Sequence, residues 1–331
     1  MKISVLGAGG WGTALAILLH FNGHKVTLWE FDKRYAKSLK RSRKNKLYLP
    51  GVDLPDELNI THSLDEAVQK QNMVVIAVPS QFVRSVLSSV KKIDFSDVTF
   101  VSVSKGIEKG TLMTVEEVIK DEFPNINDEH FGVLSGPSHA EEVSRRIPTT
   151  VVAASRSDDT ARRIQSAFMC SYFRVYSSND IIGVELGGAL KNIFAIGAGI
   201  IDGAKFGDNT KAAIMTRGVS ELARLGVTLG AKKDTFYGLS GMGDLIVTCS
   251  SKHSRNRYVG EQIGMGHKLK NIIKKMDMVA EGVETTRSAY ELAKIKSIDT
   301  PIINAIYSIL YEDKDPILST YELMERAMKP E

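Results

Sequence analysis

The chain has 331 residues, 43% hydrophobic and 25% charged, and its 43 Lys and Arg against 39 Asp and Glu give a formal net charge of +4. That length allows two domains with a well-buried core, and the composition fits a soluble globular protein rather than a disordered or membrane one. So small a net charge gives no reason to expect a nucleic acid partner. The two cysteines, Cys170 and Cys249, lack paired spacing, so free thiols and no metal site are expected. Met1 leads straight into an apolar run, leaving no room for a signal peptide, and no apolar run approaches the length of a membrane span. A cytoplasmic protein without stable membrane insertion is expected.

Ile3 to Leu6 reads as a first strand and Thr13 to Leu19 as a first helix. Between them Gly7, Gly9 and Gly12 stand at G-x-G-x-x-G spacing. A tight turn, a close approach of backbone to a pyrophosphate and close helix–sheet packing each call for glycine there. The helix N-terminus then offers free N–H groups to a diphosphate. In this strand-to-helix setting the motif predicts a dinucleotide site. Lys25 to Trp29 reads as the second strand and ends at Glu30, near the offset of roughly 20 residues where an acid takes the adenine-ribose hydroxyls. Lys33 and Arg34 follow and could meet a 2′-phosphate instead. NAD is therefore the expected cofactor, with NADP possible. The basic segment Lys33 to Lys46 otherwise reads as a solvated helix face.

Further strands are expected at Met73–Val78, Thr99–Ser104, Phe131–Leu134, Thr149–Ala154 and Phe173–Tyr176. Helices are expected between several of them, at Leu64–Gln69, Phe82–Val90 and Leu112–Phe123. This alternation predicts a largely parallel sheet covered on both faces. After Ser178 the pattern becomes helical, with Ile181–Gly203, Thr210–Leu225, Ser254–Ile263, Val283–Ile295, Pro301–Tyr311 and Thr320–Met328. The expected fold is α/β: an N-terminal Rossmann-type doubly wound sheet, residues 1–180, binding the dinucleotide. An all-helical C-terminal domain, residues 181–331, would bind substrate, with the ligand in the cleft between the two.

Several side chains could carry chemistry. Lys105 follows a strand at the carboxyl end of the sheet, where ligands collect; otherwise it is an exposed loop lysine. The turn Ser135 to Ala140 precedes a helix starting near Glu141 and suits a polar or anionic group, with His139 a weaker acid–base candidate. Lys191 lies in an apolar helix beside Leu190, Ile193 and Phe194, where desolvation lowers an ammonium pKa. Gly187 and Gly188 allow close backbone approach there, which favours a catalytic lysine over one that snorkels. Asp244 would be costly to bury without a partner such as Lys191. Ser254, Arg255 and Asn256 offer either a phosphate grip at a helix start or a simple cap.

Taken together, Gly7-Ala-Gly-Gly-Trp-Gly12, Ala77-Val-Pro-Ser-Gln81, Ser104-Lys-Gly-Ile107, Leu134-Ser-Gly-Pro-Ser138, Leu190-Lys-Asn192, Gly241-Met-Gly-Asp-Leu245 and Ser254-Arg-Asn256 resemble a known family. Over essentially the whole chain they are similar to the bacterial NAD(P)-dependent glycerol-3-phosphate dehydrogenases. The resemblance implies a reversible reduction of dihydroxyacetone phosphate to sn-glycerol 3-phosphate, feeding glycerophospholipid synthesis, in a homodimer. It implies that Lys191 exchanges the proton, with Asp244 beside it and Lys105 stabilising charge on the reacting oxygen. It places Lys105, Gly136, Ser138, Asn192, Thr248, Arg255 and Asn256 at the phosphorylated triose, joined there by Lys191, by Asp244 and by Ser254 of the phosphate grip read above. Beside Gly7, Gly9, Gly12 and Glu30, read from the residues themselves, and with Lys105, it places Gly10, Trp11, Phe31, Phe82, Ala140, Arg255, Val279 and Glu281 at the cofactor. Many bacterial members have arginine after the second strand, whereas Glu30-Phe31-Asp32 stands here, as in NAD-preferring relatives. The alternatives are a two-domain dehydrogenase of a 3-hydroxy acid and a non-catalytic NAD(P)-binding regulatory protein. The latter has no need of Lys105, Lys191 and Asp244.

Overall fold

A computed structural model describes residues 1–276 and 278–328. Internal contacts divide the chain into two units, Met1–Ser104 with Met113–Glu185, and Lys105–Leu112 with Leu186–Glu331. The first unit runs β1 (Lys2–Leu6), α1 (Gly10–Phe21), β2 (Lys25–Trp29), α2 (Lys33–Ser42), β3 (Asn59–Thr61), α3 (Leu64–Val68), β4 (Met73–Ile76) and α4 (Val83–Ser88). It continues through β5 (Thr99–Ser102), α5 (Val115–Glu122), β6 (Phe131–Ser135), α6 (Ala140–Ser144), β7 (Thr149–Ser155), α7 (Asp158–Phe168) and β8 (Phe173–Ser178). The eight strands lie in the order β3-β2-β1-β4-β5-β6-β7-β8. Every pairing is parallel except β6 with β7, so β7 and β8 run against the rest.

Every residue of β4, β5 and β6 is buried, so successive side chains find cover on both faces of the sheet. Strand order reverses between β1 and β4, the switch point at which such sheets open a ligand crevice. Leu6 is level with Trp29 on one side and Ile76 on the other, so Gly7, Glu30 and Ala77 leave the sheet at one end. Two of these first-unit elements escaped the sequence reading. β3 has only three residues, too few to show a period, and exists through its pairing with β2. α7 did carry a local signal: Ser157 caps it by accepting from Thr160 N–H, and Asp158 and Asp159 fill its first turn.

The second unit holds α8 (Ile181–Gly203, which begins in the first unit), α9 (Asp208–Thr228), α10 (Asp244–Ser250), α11 (Arg255–Gly264), α12 (Leu269–Lys274), α13 (Glu281–Ile295), α14 (Pro301–Tyr311) and α15 (Pro316–Met324). Among its described residues there is no strand. The expectation that no apolar run approaches a membrane span needs correction. α8, at 23 residues, is long and apolar enough to cross one, but 94% of its most apolar window is buried inside the protein, as a core helix would be. The last helix also starts earlier than expected, because Asp315 caps it, accepting from Leu318 N–H at 2.8 Å, and Pro316 sits at its first position.

α14 has an unusual cap. Thr300 at its N-cap makes no side-chain capping bond, and Glu221 of α9 accepts the Ile302 N–H instead, with its oxygens 2.9 and 3.0 Å away. Burial pushes the Glu221 carboxyl up to about 8, against the pull of these N–H groups. A value raised on folding means this group's stabilisation is complete below its ordinary 4.5 and is lost as pH rises through about 8. Glu221→Gln keeps an accepting oxygen and has no proton to lose. It is expected to melt near wild type at about pH 5 and roughly 2–6 °C above it at about pH 9. Glu185, also buried and pushed up to about 8, leaves part of the slope in place. Melting curves at the two pH values check this; an equal pH slope in variant and wild type would rule Glu221 out as its source.

Candidate active site

In the first unit the glycine turn has the geometry its sequence demands. Gly7 has φ of +114°, and a Cβ there would lie 2.9 Å from the Ala77 carbonyl group at the end of β4. A Cβ on Gly12 would fall 2.0 Å from the Gly7 oxygen, so α1 can start this close to the turn only with glycine. Gly9, the N-cap of α1, makes no side-chain capping bond, and a Cβ on it would meet nothing within 4 Å. The space beside Gly9 at the start of this helix is therefore open, where unpaired first-turn N–H groups suit a diphosphate. The indole Nε1 of Trp11 is buried without a hydrogen-bond partner, a donor left over for a ligand. These residues fit a dinucleotide.

Glu30 closes the same end of β2. Its Oε1 accepts the Asp32 N–H at 2.9 Å, and burial raises its carboxyl pKa. Asp32 is committed elsewhere, capping α2 by accepting from Tyr35 N–H at 2.6 Å. Phe31 and Phe82 are exposed, and Lys33 and Arg34 lie exposed in the first turn of α2. Ala140 opens the five-residue α6, and its Cβ lies 3.7 Å from where a Cβ on Gly10 would sit. Ser138 donates to the Gly136 carbonyl at 3.0 Å. The sequence reading passed over Tyr35 and Asn45, inside the segment read as a solvated face. Asn45 is only 1% exposed.

In the second unit three titratable groups come together. Lys191 Nζ donates to Asp244 Oδ1 at 2.6 Å, and Lys105 Nζ donates to Asp244 Oδ2 at 2.7 Å. Lys191 also donates to Thr248 Oγ1, whose own proton is committed to the Asp244 carbonyl at 2.6 Å. The local fold explains the meeting. Leu239–Gly243 forms a wide π-helical turn directly before α10 and delivers Asp244 at the helix start. That turn presses on α8 at Gly187, where a Cβ would lie 2.7 Å from the Ser240 oxygen. Gly187 is one turn before Lys191 on the same helix face, so the contact that needs glycine also aims the lysine at Asp244.

Burial drives the Lys191 pKa down to about 8, with Asp244 pulling it up and Lys105 pushing it further down. For Asp244, burial raises the pKa, yet the two lysines together hold it below its ordinary value. Cys249 next to this cluster is a buried thiol pushed up to about 12, which makes it inert as a nucleophile. Among the described residues no group of His, Cys, Asp and Glu could hold a metal.

The remaining candidates divide between the units. Ser254 accepts the Arg257 N–H at 3.1 Å and so caps α11, which leaves Arg255 exposed in the first turn. Asn256 Oδ1 accepts the Gly282 N–H at 3.0 Å, beside Glu281 at the start of α13. A Cβ on Gly282 would lie 2.7 Å from the Asn192 oxygen, so Asn192, Asn256 and the start of α13 are packed together. Val279 is exposed just before that helix. Thus Lys105, Arg255, Val279 and Glu281, expected at the cofactor, belong to the second unit, whereas Gly136 and Ser138, expected at the substrate, belong to the first.

A buried lysine that can give and take a proton at ordinary pH, in a chain whose other unit is shaped for a dinucleotide, is what a nicotinamide-dependent dehydrogenase requires. Comparison with known proteins narrows the class. Residues 2–161 match the N-terminal model, and residues 180–320 the C-terminal model, of NAD-dependent glycerol-3-phosphate dehydrogenase. The chain belongs to this family. It is 53% identical to glycerol-3-phosphate dehydrogenase [NAD(P)+] of Thermoanaerobacter sp. (strain X514), over 100% of this chain and 99% of that one. The enzyme of the same name from Fusobacterium nucleatum is 49% identical over 100% and 98%. The crystal structure of glycerol-3-phosphate dehydrogenase from Coxiella burnetii superposes with a TM-score of 0.94 at 36% identity, covering 98% of this chain and 99% of that one.

Proposed function

We propose that this chain interconverts dihydroxyacetone phosphate and sn-glycerol 3-phosphate with NAD(H) or NADP(H), in the direction that supplies glycerophospholipid synthesis. Residues 1–180 would bind the dinucleotide and residues 181–331 the substrate, in a cytoplasmic homodimer. The observation that carries the reading is the Lys191–Asp244–Lys105 cluster.

When bound, the nicotinamide supplies the hydride to substrate C2, or takes it back in reverse. The chain's own residues handle the proton. An ammonium has three N–H groups, and Asp244 and Thr248 accept two from Lys191. The third position of Nζ serves the C2 oxygen, giving its proton on reduction and recovering one on oxidation. Asp244 holds Nζ in that orientation, and Lys105 adds positive charge where negative charge develops on the oxygen. Arg255 and Asn256 hold the phosphate, the guanidinium by charge-assisted hydrogen bonds.

Glu30 selects the cofactor. A carboxylate tied at the end of β2 accepts both ribose hydroxyls and repels a 2′-phosphate, against which Lys33 and Arg34 are the opposing charges. The test follows oxidation of NADH and of NADPH with and without dihydroxyacetone phosphate, at fixed ionic strength. NADH is expected to have the higher kcat/KM, and Glu30→Ala to narrow the ratio by about an order of magnitude. No substrate-dependent oxidation of either nucleotide would overturn the function, and an unchanged ratio in the variant would overturn Glu30 as selector.

A further inference from the structure

We infer that Asn45 is a positioning residue of the dinucleotide site, holding the glycine turn and the ribose-side carboxylate in one fixed arrangement. The inference rests on the reading above that the turn binds a dinucleotide. An asparagine amide has two N–H donors and an oxygen with two lone pairs, and Asn45 uses all four. Its Nδ2 donates to the Ala8 carbonyl at 2.9 Å and to Thr13 Oγ1 at 2.8 Å. Its Oδ1 accepts from Tyr35 Oη at 2.6 Å and from Tyr48 N–H at 3.1 Å.

The partners give this saturation its meaning. Ala8 and Thr13 stand on either side of Gly9 to Gly12, and 37 and 32 residues separate them from Asn45. Thr13 Oγ1 also donates to the Ala8 carbonyl, at 3.3 Å. Two donors thus hold the Ala8 carbonyl inside the turn, which would repel a diphosphate if it rotated outward. Tyr48 sits against the same turn, with its carbonyl oxygen 2.6 Å from where a Cβ on Gly10 would lie. On the other side, Tyr35 N–H bonds Asp32 Oδ1 and Asp32 N–H bonds Glu30 Oε1. A continuous chain of hydrogen bonds therefore runs from Glu30 through Asp32, Tyr35 and Asn45 to Ala8 and Thr13. One end of that chain is the contact proposed for the ribose, the other flanks the turn proposed for the diphosphate, and Asn45 is the link that joins α2 to the turn.

The experiment titrates NADH, and separately ADP-ribose, which lacks the nicotinamide, by quenching of Trp11 and Trp29 fluorescence. The proteins are wild type, Asn45→Ala, Asn45→Asp and Tyr35→Phe. Asn45→Ala is expected to raise both Kd values on the order of tenfold. The KM for dihydroxyacetone phosphate, and kcat at saturating NADH, should stay within about twofold. Asn45→Asp keeps the acceptors for Tyr35 and Tyr48 and sets a carboxylate against the Ala8 carbonyl, so it should bind no better than Asn45→Ala. If Asn45→Ala does not fold, Tyr35→Phe removes a single O–H and should weaken both ligands about threefold. Kd values within about twofold of wild type in the folded variants, whatever their melting temperatures, would overturn the inference. A wild type that binds neither probe would instead overturn the dinucleotide site, and this inference with it.

Discussion

Lys191→Ala is expected to lower kcat by ~10²–10⁴ while NADH still binds, because it removes the group that exchanges the substrate proton. Lys191 is buried on α8, and burial brings its pKa to about 8. Reduction consumes the proton of the ammonium, so its rate should fall as pH rises through about 8. Oxidation needs the neutral amine, so its rate should rise over the same interval. The two directions should therefore show opposite limbs with a common inflection, and both limbs should vanish in the variant. Lys191→Arg, which cannot give up its proton in this range, should lose oxidation with the charge retained. Rate–pH profiles in both directions, with NADH titrations alongside, make the measurement. Near-wild-type turnover in Lys191→Ala, or the same inflection persisting, would remove this lysine from the chemistry.

Asp244→Asn should act on both stability and the pH profile. The substitution keeps the shape and an accepting oxygen, and deletes the charge that Lys105 and Lys191 share at 2.7 and 2.6 Å. Both lysines and the carboxylate are largely shielded from water, so breaking the network should cost on the order of 3 kcal/mol. Part of that is recovered when one ammonium gives up its proton. Lys191 then loses its main attraction toward the charged form and keeps the repulsion from Lys105, so its pKa falls further. The inflection should move to lower pH in both directions, and reduction near neutrality should slow because less of Lys191 is protonated. Thermal melts and pH–rate profiles test the two halves separately. A profile that stays put while the melting temperature drops would make Asp244 a packing residue with no hold on Lys191.

The parts of this protein legible in the sequence are those whose physics is local. Gly7, Gly9 and Gly12 could be read because a tight turn into a helix is decided within a few positions, and Gly7 does have a positive φ. Glu30 could be read from its place at the end of a strand, and Lys191 from the apolar residues on either side of it. The helical second half was visible from its periodicity, and the Asp315–Pro316 start of α15 was there to be seen.

Tertiary structure alone decided the rest, since it depends on residues brought together across long stretches of chain. Asp244 meets Lys105 and Lys191 across 139 and 53 residues, and no spacing rule announces that one carboxylate will hold both. Lys105 follows a strand of the first unit, yet its segment packs as part of the second. Asn45 sits in a basic stretch that any local reading sends to solvent, and only its bonds to Ala8 and Thr13 show why it is buried. β3 exists through pairing, and the reversal of β7 and β8 is a matter of how strands add to a sheet edge. Local sequence sets which residues can turn, cap or lose water; the pKa of Lys191 and the pairing of Asp244 arise only when packing excludes water from groups that the chain keeps far apart.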